Sequence, residues 1–171
     1  MIKICVIGLG YVGLPVALGV AGRFNTIGFD SNQKRIKELK KKIDSNGEFL
    51  KKSFNKKKIK FTFNQKEINN CNFYIICLPT PVNKQKIPDL NPLMSSIKVL
   101  KNKIKRNDII VLESTVYPGL TNIFSNKLSN LTGLENNVDF FTCYSPERIN
   151  PGDKSKKLSN IEKIFAIKTS N

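Results

Sequence analysis

The stretch that most restricts what this chain can fold into runs from Ile2 to Asp30. A β-branched run, Ile4 to Ile7, breaks into Gly8-Leu9-Gly10-Tyr11-Val12-Gly13 and continues as an apolar segment of helical length through Ala21. A second β-rich run, Thr26 to Asp30, closes with a carboxylate 22 residues beyond Gly8. A G-x-G-x-x-G pattern alone is weak evidence. It becomes informative when a strand precedes it, a helix follows it and an acid falls about 20 residues further on.

Each residue of the pattern has a physical task. Gly8 permits a tight turn out of the strand, Gly10 lets the backbone come close to a pyrophosphate, and Gly13 lets helix and strand pack closely. Tyr11 and Val12 lie between them in the same turn and count with the cofactor-binding residues. The helix N-terminus adds unpaired N–H donors and the positive end of the macrodipole. Asp30 is placed to accept hydrogen bonds from the adenosine ribose and to repel a 2′-phosphate, so the expected cofactor is NAD rather than NADP. In the competing reading the glycines serve only the turn, and Asp30 only caps the helix that begins at Ser31-Asn32.

The remainder alternates in the same manner. Ser31 is placed to cap a helix over 32–42 with Ile36, Leu39 and Ile43 at helical spacing. On that helix Arg35 lies within reach of the ribose, a solvated surface arginine being the other reading. Residues 44–58 are polar and lysine-rich, which predicts a loop or short irregular helix. An edge strand over 59–63 and a short helix or turn over 65–70 follow. The continuous apolar run over 72–78 predicts a buried parallel strand, ended by Pro79-Thr80-Pro81. That end is where an open α/β sheet places its ligands, making Thr80 a candidate cofactor contact or a residue that closes a turn.

After a loop over 82–90, residues 91–105 carry Leu93, Ile97, Leu100 and Ile104 on one helical face. A strand over 108–113 ends in Ser114-Thr115-Val116-Tyr117-Pro118-Gly119, and Pro118 suits the first turn of a helix that stops near Gly133. A strand over 138–143 runs into a polar loop over 144–152, and a short last strand is expected over 163–168. The fold class is therefore α/β: a doubly wound parallel sheet (Rossmann) in the order 3-2-1-4-5-6, as a single domain spanning 1–171, with the polar strand ends on one rim.

Charge and cysteines narrow the function. Twenty-nine Lys and Arg against 13 Asp and Glu give a formal net charge of +16, which suits an anionic partner. The lysines, however, are scattered over loops and polar helix faces without interleaved aromatics, so nucleic-acid binding is not expected. Cys5, Cys71, Cys77 and Cys143 sit alone in or beside strands, with no paired spacing and no histidine anywhere in the chain. They read as small buried hydrophobes in a reducing compartment, with no metal site. The apolar start resembles a signal sequence, but the glycine pattern lies inside it, and no segment approaches membrane-spanning length. A cytoplasmic protein without a membrane partner is expected.

Four motifs carry a family resemblance: GLGYVGLP at 8–15, LPTPV at 78–82, ESTVYPG at 113–119 and YSPERINPGD at 144–153. In content and order they resemble the UDP-glucose/GDP-mannose dehydrogenase family over essentially the whole chain. PDLNPL at 88–93 and the ERINPGD loop are most similar to the branch acting on UDP-N-acetylglucosamine and UDP-N-acetylmannosamine. The resemblance implies oxidation of the sugar C6 alcohol to a carboxylate with two NAD, for surface polysaccharide precursors. A cysteine in the second half of such enzymes traps the aldehyde, a thioester forms, and water hydrolyses it. Carried over by motif, Gly8, Gly10, Gly13, Asp30 and Arg35 bind NAD and Thr80 contacts it. Thr115 lies near the nicotinamide and positions water, Glu147 is the general acid/base of hydrolysis, and Arg148 faces the substrate.

Two departures from the family pattern stand out. Some UDP-glucose enzymes carry a second glutamate where this chain has Pro151, which argues against UDP-glucose. The family also implies a chain more than twice this long, with a linker helix, a homo-oligomer built on it, and a substrate domain holding a Gly-Gly-x-Cys nucleophile. These are expected to be absent here, leaving the NAD-binding domain. A stand-alone NAD-sensing module and a β-hydroxyacid dehydrogenase sharing only the fold are the alternatives. A sensor needs neither Thr115 nor Glu147, and a β-hydroxyacid enzyme leaves the SPERINPGD loop without an account.

Overall fold

A computed structural model describes residues 1–55 and 58–146, together with the backbone of 166–167. Among these residues one sheet is built from β1 (Lys3–Ile7), β2 (Asn25–Phe29), β3 (Ile59–Thr62), β4 (Phe73–Ile76), β5 (Ile109–Leu112), β6 (Phe141–Tyr144) and β7 (Ala166–Ile167). Its order is β3-β2-β1-β4-β5-β6-β7. The first six strands are parallel, in the expected order, whereas β7 pairs antiparallel to β6, with Cys143 opposite Ile167. The six-strand parallel order is the expected one, and the short last strand, which that order does not place, joins the edge antiparallel. An antiparallel neighbour starts from the rim at which β6 ends and needs no crossover back to the opposite side.

Among the described residues four α-helices, α1 (Gly13–Val20), α2 (Gln33–Lys40), α3 (Asn91–Leu100) and α4 (Leu120–Thr132), connect strands of the sheet. Alternation within the strands divides the core. Ile4, Val6, Ile75 and Val111 pack with Leu14, Ala17, Ile36 and Leu39 of α1 and α2. Cys5, Ile7, Tyr74, Ile76, Ile110 and Leu112 pack with Leu93, Ile97, Phe124 and Leu128 of α3 and α4. Both faces of the sheet are thus covered, which is why its central strands read as continuous apolar runs.

Several element ends differ from the sequence reading. Asn32, not Ser31, caps α2: its Oδ1 accepts from the amides of Lys34 at 3.0 Å and Arg35 at 3.2 Å. The helix stops at Lys40, Lys42 turns the chain at φ 61°, and Ile43 is left exposed. Helix α3 ends at Leu100, although Ile104 still packs on the core. Pro118 precedes the N-cap of α4, which is Gly119 at φ 92°, a left-handed conformation suited to glycine. Val138 is exposed and β6 begins only at Phe141, because Asn137 at φ 67° holds the preceding segment in a turn.

All four cysteines are buried. Cys5 and Cys71 are in side-chain contact rather than isolated, and burial holds the Cys5 thiol well above its ordinary pKa. Burial also raises the Cys143 thiol.

Candidate cofactor-binding site

The three glycines of the turn have different reasons to be glycine. Gly8 sits at φ +89°, and a Cβ there would lie 2.6 Å from the carbonyl oxygen of Cys77. A Cβ on Gly13 would overlap the carbonyl oxygen of Gly8. Gly10 is exposed, and a Cβ there would meet nothing within 4 Å. Gly8 and Gly13 are therefore demanded by the fold itself. Nothing in the protein demands Gly10, and its missing side chain leaves clear space in front of the turn. Helix α1 begins directly behind that space at Val12 and Gly13 with no side-chain cap. The Leu14 amide donates back to the Gly10 carbonyl at 3.2 Å and Pro15 has no N–H, which leaves the amides at the very start of the helix as the donors a ligand could use. A fourth glycine, Gly28 in β2, makes room for the floor of the turn: a Cβ there would press on Phe61 at 2.9 Å and Leu9 at 3.1 Å.

Asp30 follows the end of β2 and binds the turn to it. Its Oδ2 accepts from the Leu9 amide at 2.8 Å and its Oδ1 from the Asn32 amide at 2.8 Å. Asp30 thus does contact the start of α2, but the cap is Asn32, and the half-buried carboxylate keeps lone pairs for two further hydroxyl donors. Arg35 is 8% exposed, which excludes the solvated reading. Its Nε donates to the Leu9 carbonyl at 3.0 Å, its Nη1 to Ser45 Oγ at 3.2 Å and its Nη2 to Asp44 Oδ1 at 2.7 Å. Leu9, Gly10, Asp30, Asn32, Arg35 and Ser45 line one open groove of about 380 Å³ beside the turn. Tyr11, in the same turn, is 49% exposed.

Register carries the other strand ends to the same rim. Ile7 pairs with Ile76, Ile76 with Leu112, and Leu112 with Tyr144, so Gly8, Cys77, Glu113 and Ser145 leave the sheet at one level. Two hydroxyls tie the neighbouring exits of β4 and β5. Thr80 Oγ1 donates to the Thr115 carbonyl at 2.6 Å, and Ser114 Oγ donates to the Leu78 carbonyl at 2.6 Å. Thr115 itself is exposed on the rim, and the Ser145 amide donates to the Leu112 carbonyl at 3.0 Å, drawing the next loop in beside it. Glu147 and Arg148 lie outside the described residues. Among the described residues no cluster of His, Cys, Asp and Glu could hold a metal ion.

The structure therefore places Gly8, Gly10, Gly13 and Asp30 at the exits of β1 and β2, and Thr80 and Thr115 at the neighbouring exits of β4 and β5 on the same rim. Asp44, Ser45, Gly28 and Ser114 are additions that the sequence reading missed. Ser114 adjoins a motif residue and was open to inspection, whereas Asp44 stands in an irregular loop with no pattern to mark it.

A six-stranded parallel sheet with an open glycine turn, an uncapped helix behind it and a carboxylate at the end of the second strand defines a dinucleotide-binding protein of the Rossmann type. Clear space at Gly10, a helix start without a side-chain cap and an acceptor at ribose position all fit a pyrophosphate-linked dinucleotide. The chain belongs to the UDP-glucose/GDP-mannose dehydrogenase family, whose NAD binding domain matches residues 2–170. It is 46% identical over 170 residues to a UDP-N-acetyl-D-glucosamine 6-dehydrogenase of Salmonella typhi, covering 98% of this chain and 40% of that one. It is 42% identical over 168 residues to protein CapL of Staphylococcus aureus, again covering 98% and 40%. A solved UDP-D-ManNAc dehydrogenase from Pyrococcus horikoshii superimposes with a TM-score of 0.78 at 32% identity, over 88% of this chain and 37% of that one. The chain spans about 40% of the length of these curated relatives. Among the described residues no helix is long and apolar enough to cross a membrane.

Proposed function

We propose that this chain is the cofactor half of a nucleotide-sugar 6-dehydrogenase that oxidises the C6 alcohol of a UDP-N-acetylhexosamine to the uronate, supplying surface polysaccharide precursors in the cytoplasm. The whole enzyme, on this reading, is a homo-oligomer whose substrate domain and linker helix are contributed by further sequence. The balance is one alcohol, one water and two NAD giving one carboxylate, two NADH and three protons. NAD supplies the hydride acceptor when bound.

The supporting observation is the unfilled space at Gly10 set between the uncapped start of α1 and the Asp30 carboxylate. Backbone amides of Tyr11, Val12 and Gly13 would hold the pyrophosphate, and Asp30 would accept from the ribose hydroxyls. Thr80 holds the carbonyl of Thr115 and so acts as a positioning residue for the exposed Thr115 hydroxyl, which orients the water of the hydrolytic step. Glu147 takes the proton of that water and Arg148 meets the anionic substrate. Each of the four cysteines is buried in the core, so the thiolate of this chemistry comes from the substrate domain.

The test fuses this chain to the C-terminal portion of the Salmonella typhi relative and follows NADH absorbance with UDP-N-acetylglucosamine and UDP-N-acetylmannosamine. The expected result is sugar-dependent formation of two NADH per sugar. Glu147→Gln is expected to keep NAD affinity and lower turnover by about 100-fold, the usual scale of a general acid/base. Loss of NAD binding in a folded Glu147→Gln chain would remove the hydrolytic role, and a fusion that binds NAD but oxidises neither sugar would remove the substrate class.

A further inference from the structure

We propose that Asp44 is a specificity-determining positioning residue for the dinucleotide, excluding a 2′-phosphate by holding the Arg35 guanidinium beneath the glycine turn. The proposal rests on the reading of Asp30 and its groove as the adenosine end of the NAD site. Asp44 is nine residues from Arg35 along the chain, yet its side chain is fully enclosed while that of Arg35 is 9% exposed. Its Oδ1 accepts from Arg35 Nη2 at 2.7 Å and from the Asn46 amide at 3.3 Å. Its Oδ2 accepts from the amides of Glu48 at 3.1 Å and Phe49 at 3.0 Å. The carboxylate thus organises the loop after α2 and presents it to the arginine.

The arginine is held at two further points. Nε is bonded to the Leu9 carbonyl in the glycine turn, and Nη1 to Ser45 Oγ, whose own hydroxyl donates to Glu38 Oε2 at 2.7 Å. A planar guanidinium fixed along three directions keeps its place in the groove wall and has no freedom to turn outward and pair with an added 2′-phosphate. An arginine near that hydroxyl is what accommodates a 2′-phosphate in NADP-dependent relatives of this fold. Charge acts in the same direction. Along the groove Asp30 and Glu38 balance Lys34 and Arg35, and the enclosed Asp44 behind Arg35 adds one negative charge, so an added phosphate meets a net negative field. Without Asp44 the balance is even and Arg35 is released.

The experiment titrates NAD and NADP calorimetrically into the 171-residue chain, its Asp44→Asn variant and the Asp44→Asn/Arg35→Gln double variant. Asp44→Asn is expected to lower the NAD-over-NADP preference by about tenfold, the scale of one partly screened charge, chiefly by tightening NADP. The double variant, having lost the released cation, is expected to return most of that preference. Equal weakening of both nucleotides, or a preference moved less than about twofold, would mean that Asp44 only holds its loop together and would overturn the proposal. Ser45→Ala decides the matter if circular dichroism shows Asp44→Asn unfolded. It removes one anchor and leaves the ion pair, so a twofold to threefold fall in preference is expected and an unchanged preference overturns the idea. A parent chain that binds no NAD would instead remove the underlying reading of the groove.

Discussion

Replacing Gly10 and Gly13 by alanine, one at a time, separates the glycine that serves a ligand from the glycine that serves the fold. At Gly10 an added Cβ meets no atom within 4 Å, and Gly10 is absent from the residues at positive φ, so alanine enters without strain. Restricting the unfolded chain then stabilises by about 0.4–1 kcal/mol, a rise of roughly 1–4 °C in Tm for a chain of this size. At Gly13 the same methyl collides with the Gly8 carbonyl and comes within 3.1 Å of the Cys77 side chain, and neither neighbour is a flexible side-chain tip. Helix α1 must lift from the sheet, loosening Leu14, Ala17 and Leu18 from Ile4 and Val6. At about 1.5–3 kcal/mol for each large apolar side chain, the loss is roughly 4 kcal/mol or more, or about 8–16 °C in Tm. Binding should run the opposite way for Gly10, whose new methyl stands where the pyrophosphate approaches. A loss of NAD affinity of at least about tenfold is expected. Thermal denaturation followed by circular dichroism and calorimetric titration of NAD measure both quantities. Gly10→Ala that binds NAD within twofold of the parent, or Gly13→Ala as stable as Gly10→Ala, would refute this division of labour.

Two further predictions concern the core beneath the site. The buried Tyr74 hydroxyl donates to the Cys71 carbonyl at 2.9 Å, and burial raises its pKa; Tyr74→Phe should cost about 1 kcal/mol, seen as a Tm lower by roughly 2–4 °C with NAD affinity unchanged. Asp108 is buried at the start of β5, where desolvation raises its pKa from 3.8 even though its Oδ2 accepts from the Lys105 amide. The folded state therefore holds the proton more tightly than the unfolded state, so this contribution to stability is complete below pH 3.8 and is lost as pH rises through the higher folded value. Asp108→Asn keeps the acceptor and should flatten that part of the stability profile above pH 4. Chemical denaturation across the acid range checks this, and an unaltered profile would show that Asp108 carries no such linkage.

The architecture was open to reading because its signals are local. Gly8 and Gly13 are constrained by contacts that the fold imposes on any strand–turn–helix unit, and the apolar run before Pro79 has only one plausible place in a covered parallel sheet. Strand order followed from alternation of strands and helices. Element ends were less legible: Asn32 took the cap from Ser31 because its carboxamide reaches two amides, and Ile43 kept helical spacing on paper after the helix had already turned away at Lys42. The antiparallel β7 had no sequence marker at all, since two residues of strand look alike in either direction. The supporting layer of the site was hidden for a related reason. Arg35 and Asp44 are brought together by an irregular loop, and no period or motif relates them.

The measurement that bears most directly on the account is calorimetric titration of NAD and NADP into the 171-residue chain and its Asp30→Asn variant. The parent is expected to bind NAD at least about tenfold more tightly than NADP, because the Asp30 carboxylate accepts from the ribose and repels a 2′-phosphate. Asp30→Asn should lose about tenfold or more in NAD affinity, as charge-assisted hydrogen bonds are weakened, and most of the preference should go with it. A parent that binds both nucleotides equally, or an Asp30→Asn variant that keeps the preference, would contradict the assignment of this rim as an NAD site.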